Sequence, residues 1–244
     1  MNVGELTQGL LGVAIGYYAG NANQRTRAIA IGDQAGSVGQ GEKSVAIGHL
    51  AGSSTQGDYC IAIGDTAGYT GQSTNSIAIG YYAGFASQGT GAVAIGWKAG
   101  YTAQASGAVA IGWQAGYSAQ STGAIAIGYN AGYTAQGSYS IAIGQGAGQT
   151  GQAANSIILN ASGVPLNSAT TGLFVNPIRN DNSRTTALVY NPTSREVTYS
   201  TNGTKTFVID NPQDVNKYLV HACLEGPEAG VYYRGKGLIL ETEK

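Results

Sequence analysis

The residues best suited to chemistry lie near the C-terminus. His221, Cys223 and Glu225 alternate along a predicted strand, and alternation places all three on one face. Imidazole, thiolate and carboxylate together are metal donors, but a working site needs three or four convergent ligands and an outer shell of hydrogen bonds. Only two histidines and two cysteines exist in the chain, so the trio reads as an ordinary strand, and neither a metal nor a cofactor is expected. Cys60 stands in a repeated slot otherwise filled by serine, alanine or glycine and reads as a small buried residue, too far from Cys223 for a disulfide. Glycines in "GxxAG" lack the following helix and the Gly-Lys-Ser/Thr ending of a phosphate loop. No Ser/Lys or Asp set for a self-processing module is recognisable. A net charge of −1 and no basic patch disfavour nucleic acid. The expectation is a protein that is not an enzyme.

Aromatic side chains are the remaining candidates for contact with a partner. One column reads Tyr81, Trp97, Trp113, Tyr129 at a spacing of sixteen residues, and another reads Tyr69, Phe85, Tyr101, Tyr117, Tyr133. Both sit beside glycines. Two uses follow: rings stacked over turn edges, worth about 0.5–1.5 kcal/mol per pair, or a stripe offered to the sugar faces of a host-surface glycan.

Those columns exist because the chain repeats, and an internal period decides the fold before anything else does. "GAVAIGWKAGYTAQAS" at 91–106 is restated as "GAVAIGWQAGYSAQST" at 107–122. The glycine of "AIG" recurs at Gly16, Gly32, Gly48, Gly64, Gly80, Gly96, Gly112, Gly128 and Gly144 without insertion, and then decays to Asn160. No charge lies between Lys98 and Arg179, yet no apolar run approaches the roughly 18–20 residues of a membrane span. A hexapeptide acyltransferase solenoid is disfavoured because six does not divide sixteen and His49 is single in its column; no persistent threonine column suggests an ice-binding face.

Within "VAIG" the β-branched residues are two apart, the period of a strand, and glycines mark the corners. Sixteen residues then make two short strands and two turns, one coil of an all-β parallel solenoid. Coils stack about 4.8 Å apart. The Val/Ile columns, with Ile79, Ile95, Ile111 and Ile127, are expected to form the aliphatic core. Gln88, Gln104, Gln120 and Gln136 are expected to form an amide ladder, and the small alanine column to receive another backbone. A coil this thin needs neighbouring chains, which predicts a homo-oligomer.

"NSIAIGYYAG", "GAVAIGWKAG" and "SYSIAIGQGAG" resemble the head repeats of trimeric autotransporter adhesins, the YadA-like head. The resemblance implies a left-handed parallel β-roll and a homotrimer. The unit here is slightly longer than the family's usual one, and "MNVGELTQGLLGVAIG" has no basic region before an apolar core, so no signal peptide is expected.

The β-roll is expected over residues 1–163, a β-hairpin connector over 164–204 and a short β-rich module over 205–244. In the connector, Leu173–Val175 reads as a strand, and Ala187–Asn191 and Glu196–Ser200 read as strands joined by Pro192-Thr193-Ser194. "LFVNPIR", "ALVYNP" and "KYLVHACLEGPEAGVYYRG" resemble segments of fibre-like proteins of large algal and protist DNA viruses and of phage tail fibres. That resemblance implies a structural fibre or spike on a virion, a rigid spacer and host-attachment surface that meets other virion or fibre proteins. The alternative is a fragment of a bacterial surface adhesin.

Overall fold

The computed structural model describes residues 8–180, 187–200, 206–210 and 218–222. The chain divides into two compact units, the first ending at Ile178 and the second beginning at Arg179. Every regular element among the described residues is a strand.

In the first unit the sixteen-residue coils contribute nine "VAI" strands and seven strands ending in glutamine. The former are Val13–Ile15, Ile29–Ile31, Val45–Ile47, Ile61–Ile63, Ile77–Ile79, Val93–Ile95, Val109–Ile111, Ile125–Ile127 and Ile141–Ile143. They stack in parallel and in register, Val93 on Val109 and Ile95 on Ile111, within an eleven-stranded sheet. The glutamine strands, from Val38–Gln40 to Thr134–Gln136, form a second, seven-stranded parallel sheet. The repeat is thus a parallel β-solenoid, its period set by the need for each coil to lie on the one before.

The two faces of the VAI strand are exchanged relative to the sequence expectation. Its alanine points inward: Ala94, Ala110 and Ala126 are fully buried, as are the turn alanines Ala99, Ala115 and Ala131 opposite. The β-branched pair points outward. Ile79, Ile95 and Ile127 are half-buried and Ile111 is 36% exposed. A coil so short has room inside only for methyl groups and one carboxamide, so Val and Ile must lie on the outer face. The close neighbour of each alanine is its own coil's glycine: a Cβ on Gly100 would lie 3.1 Å from the Ala94 Cβ and 2.7 Å from Gln104 Oε1.

The glycine of "AIG" answers a different constraint. Gly112 has φ +127°, and a Cβ there would come within 2.8 Å of the Gly128 carbonyl oxygen one coil on. Backbone must approach backbone at this corner.

The parallel sheet continues beyond residue 163. Leu173–Val175, expected in the connector, belong to the strand Gly172–Asn176, which pairs in parallel with Ser156–Asn160. Ile158 occupies the alanine slot and is fully buried, with Leu166 and Phe174 packed against the same cluster. Large side chains here close the end of the alanine interior. Asn160 stands where the corner glycine would be and ties the cap together, its Nδ2 donating to the carbonyls of Gln145 (2.6 Å) and Val164 (2.7 Å).

In the second unit Ala187–Tyr190 pairs antiparallel with Val197–Ser200. Asn191 Oδ1 accepts from the amides of Thr193 and Ser194 at 2.9 and 3.2 Å, fixing the turn through Pro192. A further antiparallel pair joins Thr206–Asp210 to Tyr218–Ala222.

Candidate functional surfaces

The glutamine column lies inside the coil. A left-handed residue precedes each glutamine (Ala103 φ 53°, Ala119 φ 56°) and turns the following side chain inward. Gln104 Nε2 donates to Val93 O (2.8 Å), to Ala108 O (3.2 Å) and to Gln120 Oε1 on the next coil (3.1 Å). The same link joins Gln88 to Gln104, Gln120 to Gln136 and Gln136 to Gln152 at 3.1–3.3 Å. All run in one direction, so the amide dipoles align along the stack. The ladder is interrupted earlier: Gln24 bonds to Gln40 and Gln56 to Gln72, but the buried Oε1 atoms of Gln24, Gln56 and Gln88 have no partner.

The aromatic columns flank the "AG" turn. Trp97 and Trp113 stack with centroids 4.0 Å apart and planes 19° from parallel, and Tyr81 and Tyr129 extend the stack at 6.4 Å on either side. Tyr69, Phe85, Tyr101, Tyr117 and Tyr133 stack at 4.9–5.3 Å, with planes within 11° of parallel. Tyr82 joins the two columns, edge-on to Tyr81 at 4.5 Å and tilted against Phe85 at 5.3 Å. Lys98 does the same as a cation, its Nζ 4.6 Å from the Trp97 ring and 5.7 Å from Tyr101. Ring faces are therefore turned largely toward one another, and ring edges toward solvent. Tyr81, Trp113 and Tyr129 remain 45–51% exposed, whereas the second column is half-buried.

Charged groups gather on the early coils. Arg25 reaches Asp58 at 3.0 Å across two coils. The Asp58 carboxylate also accepts from the Glu42 amide at 2.8 Å; that bond, with help from Arg25 and against partial burial, holds its pKa below the usual value. Asp65 is likewise depressed, first by the Thr66 hydroxyl and then by His49, whose Nδ1 lies 3.2 Å away. An open groove lined by Arg25, Thr55, Asp58 and Thr74 crosses this region, and its two charges neutralise each other.

Among the described residues, no cluster of three His, Cys, Asp or Glu side chains could hold a metal, and no helix is long and apolar enough to cross a membrane. His221 lies in the strand Tyr218–Ala222, while Cys223 and Glu225 fall outside the described residues. Cys60 is buried, its Sγ donating to Ser73 O at 2.8 Å. Sequence reasoning missed the outward Val/Ile face. An alanine at every inner strand position was the available signal, since only a narrow interior demands the smallest side chain at each level.

Among known families, the model for the YadA head domain repeat matches this chain in two copies, at residues 87–115 and 119–147. Both copies lie in the coils that carry the uninterrupted glutamine ladder, and the first contains both tryptophans. No curated protein and no solved structure matches the chain.

Proposed function

We propose that the chain is a non-enzymatic element of a surface-displayed fibre, in which three copies pack through their Val/Ile faces into a rigid spacer rod. The observation that carries this reading is the outward apolar sheet face. A continuous row of β-branched side chains runs along the sheet of the first unit, each left half-buried or exposed rather than buried, and a contiguous apolar row of this kind marks an interaction surface. The matched head repeats support three as the number. Sedimentation of the full-length chain at micromolar concentration tests it: a trimer is expected, and a monomer overturns the reading.

The carrier we propose is a virion or tail fibre that displays the rod outside the cell and joins it to other fibre proteins. The support is the resemblance of "LFVNPIR", "ALVYNP" and "KYLVHACLEGPEAGVYYRG" to viral fibre segments. A bacterial surface adhesin is the second reading, favoured by the YadA head repeat match. Immunoelectron microscopy with an antibody to the rod separates them, labelling particles in the first case and cell surfaces in the second.

Contact with a host-surface glycan through the aromatic columns draws on the exposure of Tyr81, Trp113 and Tyr129. Against it, sugars stack on ring faces, and these rings face each other. Replacing Trp97 and Trp113 together by alanine decides the matter: lost stability with host or glycan binding intact assigns the rings a bracing role, and lost binding with stability intact assigns them to the ligand.

A further inference from the structure

A face of repeated Val and Ile has one weakness as an interface. It is nearly the same at every level, so two rods could slide by one coil with little loss of burial. Something non-uniform must fix the register. Two columns flank the VAI strand, one opening the coil two residues before it and the other two residues after it, and neither is uniform.

Their contents are complementary. The column after the strand carries Asp33 early, then Trp97 and Trp113; the opening column carries Arg27 early, then Gly91 and Gly107. The bulkiest side chains on one edge thus share their coils with the smallest on the other, and acid shares its coil with base. Further up the inequality reverses, with Tyr139 opposite Gln145. The second column lies six of sixteen residues further along the coil. Trp113 therefore stands between the levels of Gly107 and Gly123, and Asp33 between those of Arg27 and Lys43.

Nothing inside one chain accounts for this match. Six residues of near-extended backbone separate the two columns by up to about 20 Å. A left-handed backbone favours glycine at this column but does not require it. A Cβ on Gly91 or Gly107 would meet nothing within 4 Å. Their φ values of +67° and +66° resemble those adopted in the same column by Arg27, Lys43 and Tyr59, at 55–60°. An empty shelf that tolerates large residues elsewhere points to something arriving from outside.

We infer that in the trimer the column after the VAI strand of one chain seats on the opening column of the next, at the same level. Trp97 and Trp113 fit over the glycine shelf, and Asp33 pairs with Arg27. A threefold ring brings unlike edges of successive chains together, as this contact requires. A one-coil slip would then put Tyr129 opposite Tyr139 in one direction, and in the other Trp97 opposite Asn75 and Asp33 opposite Leu11, in place of their partners. The inference rests on the trimer proposed above and adds which edges meet.

The test uses the full-length chain in three forms. Gly107→Tyr inserts a residue that the column already accepts at Tyr59 and Tyr139. It is expected to raise the trimer's dissociation constant at least tenfold, and adding Trp113→Ala is expected to restore it. A charge exchange on the exposed early coils guards against misfolding: Arg27→Glu weakens the trimer, and Arg27→Glu with Asp33→Arg recovers it. A Gly107→Tyr trimer as tight as the wild type, or single variants that their partners fail to rescue, overturn the edge pairing alone. A wild-type chain that sediments as a monomer overturns the trimer and the pairing with it.

Discussion

Gln104 and Gln72 are both buried glutamines in the middle of the stack, yet replacing each by methionine has unequal consequences. Methionine is unbranched and of similar length, so packing changes are nearly the same at the two sites. Each substitution removes bonds to two backbone carbonyls, Val93 and Ala108 for Gln104, Ile61 and Ser76 for Gln72. Each also removes the acceptor of the glutamine below, Gln88 or Gln56, whose Nε2 keeps a backbone partner. The difference lies above. Gln104 Nε2 is the donor to the buried Gln120 Oε1, whereas Gln88 Oε1, above Gln72, already has no partner. Gln104→Met therefore creates one newly orphaned buried acceptor and Gln72→Met creates none. Such an orphan costs about 1–3 kcal/mol, or roughly 5- to 150-fold in an opening equilibrium.

Global melting is a poor readout for a stack whose coils open locally, so native-state hydrogen exchange is the assay. Amides in Val109–Ile111 and Ile125–Ile127 should exchange faster in Gln104→Met by that factor beyond any change seen in Val93–Ile95 for Gln72→Met. Equal acceleration at the two sites would refute the idea that the ladder acts as a connected chain.

Three further outcomes follow from the packing. Gly112→Ala drives a Cβ to 2.8 Å from the Gly128 carbonyl oxygen at φ +127° and should cost more than about 3 kcal/mol; Gly71→Ala, in a column where Ala103 already adopts a left-handed backbone, should cost about 1 kcal/mol or less. Soluble yield and thermal unfolding compare them. Ile158→Ala opens the capped end of the alanine interior and should lose about 2–5 kcal/mol, read as faster exchange in Ile141–Ile143 with Val45–Ile47 unchanged. Asp58 has a depressed folded pKa, so its contribution is present above its ordinary value of 3.8 and is lost as pH falls through the folded value. Asp58→Asn should remove that part of the acid dependence from the early coils, and an unchanged acid unfolding profile would count against it.

The period, the parallel register and the glutamine ladder were legible because identical residues at a fixed interval leave one way to stack. Gln104 over Gln120 follows from counting alone. Which face of VAI is interior was not legible from alternation, since period two assigns two faces without saying which is inside. Coil circumference decides it: sixteen residues enclose Ala94, Ala99 and a Gln104 carboxamide, and nothing larger fits. The strand at Gly172–Asn176 was misplaced for a related reason. Its sequence has left the period, but Phe174 supplies bulk that the open end of an alanine interior needs. The aromatic columns were visible as columns, while the turning of ring faces toward each other depends on the spacing between coils.

An interior of alanine and carboxamide also explains why such a coil is suited to association. Alanine contributes little apolar area per residue, while Val and Ile carry far more and keep a sizeable share exposed, 36% at Ile111 and 39% at Ile143. Full burial of such a side chain is worth about 1.5–3 kcal/mol, so covering the exposed share yields roughly 0.5–1 kcal/mol at Ile111 or Ile143 and less at the half-buried positions, with two side chains per coil. Added over successive coils, that sum grows with rod length, while the entropic cost of bringing chains together is met once. In the proposed trimer, affinity would then rise steeply with the number of coils. In that trimer a uniform apolar face would set how tightly the chains hold, and the uneven columns beside it would set where along the rod they hold.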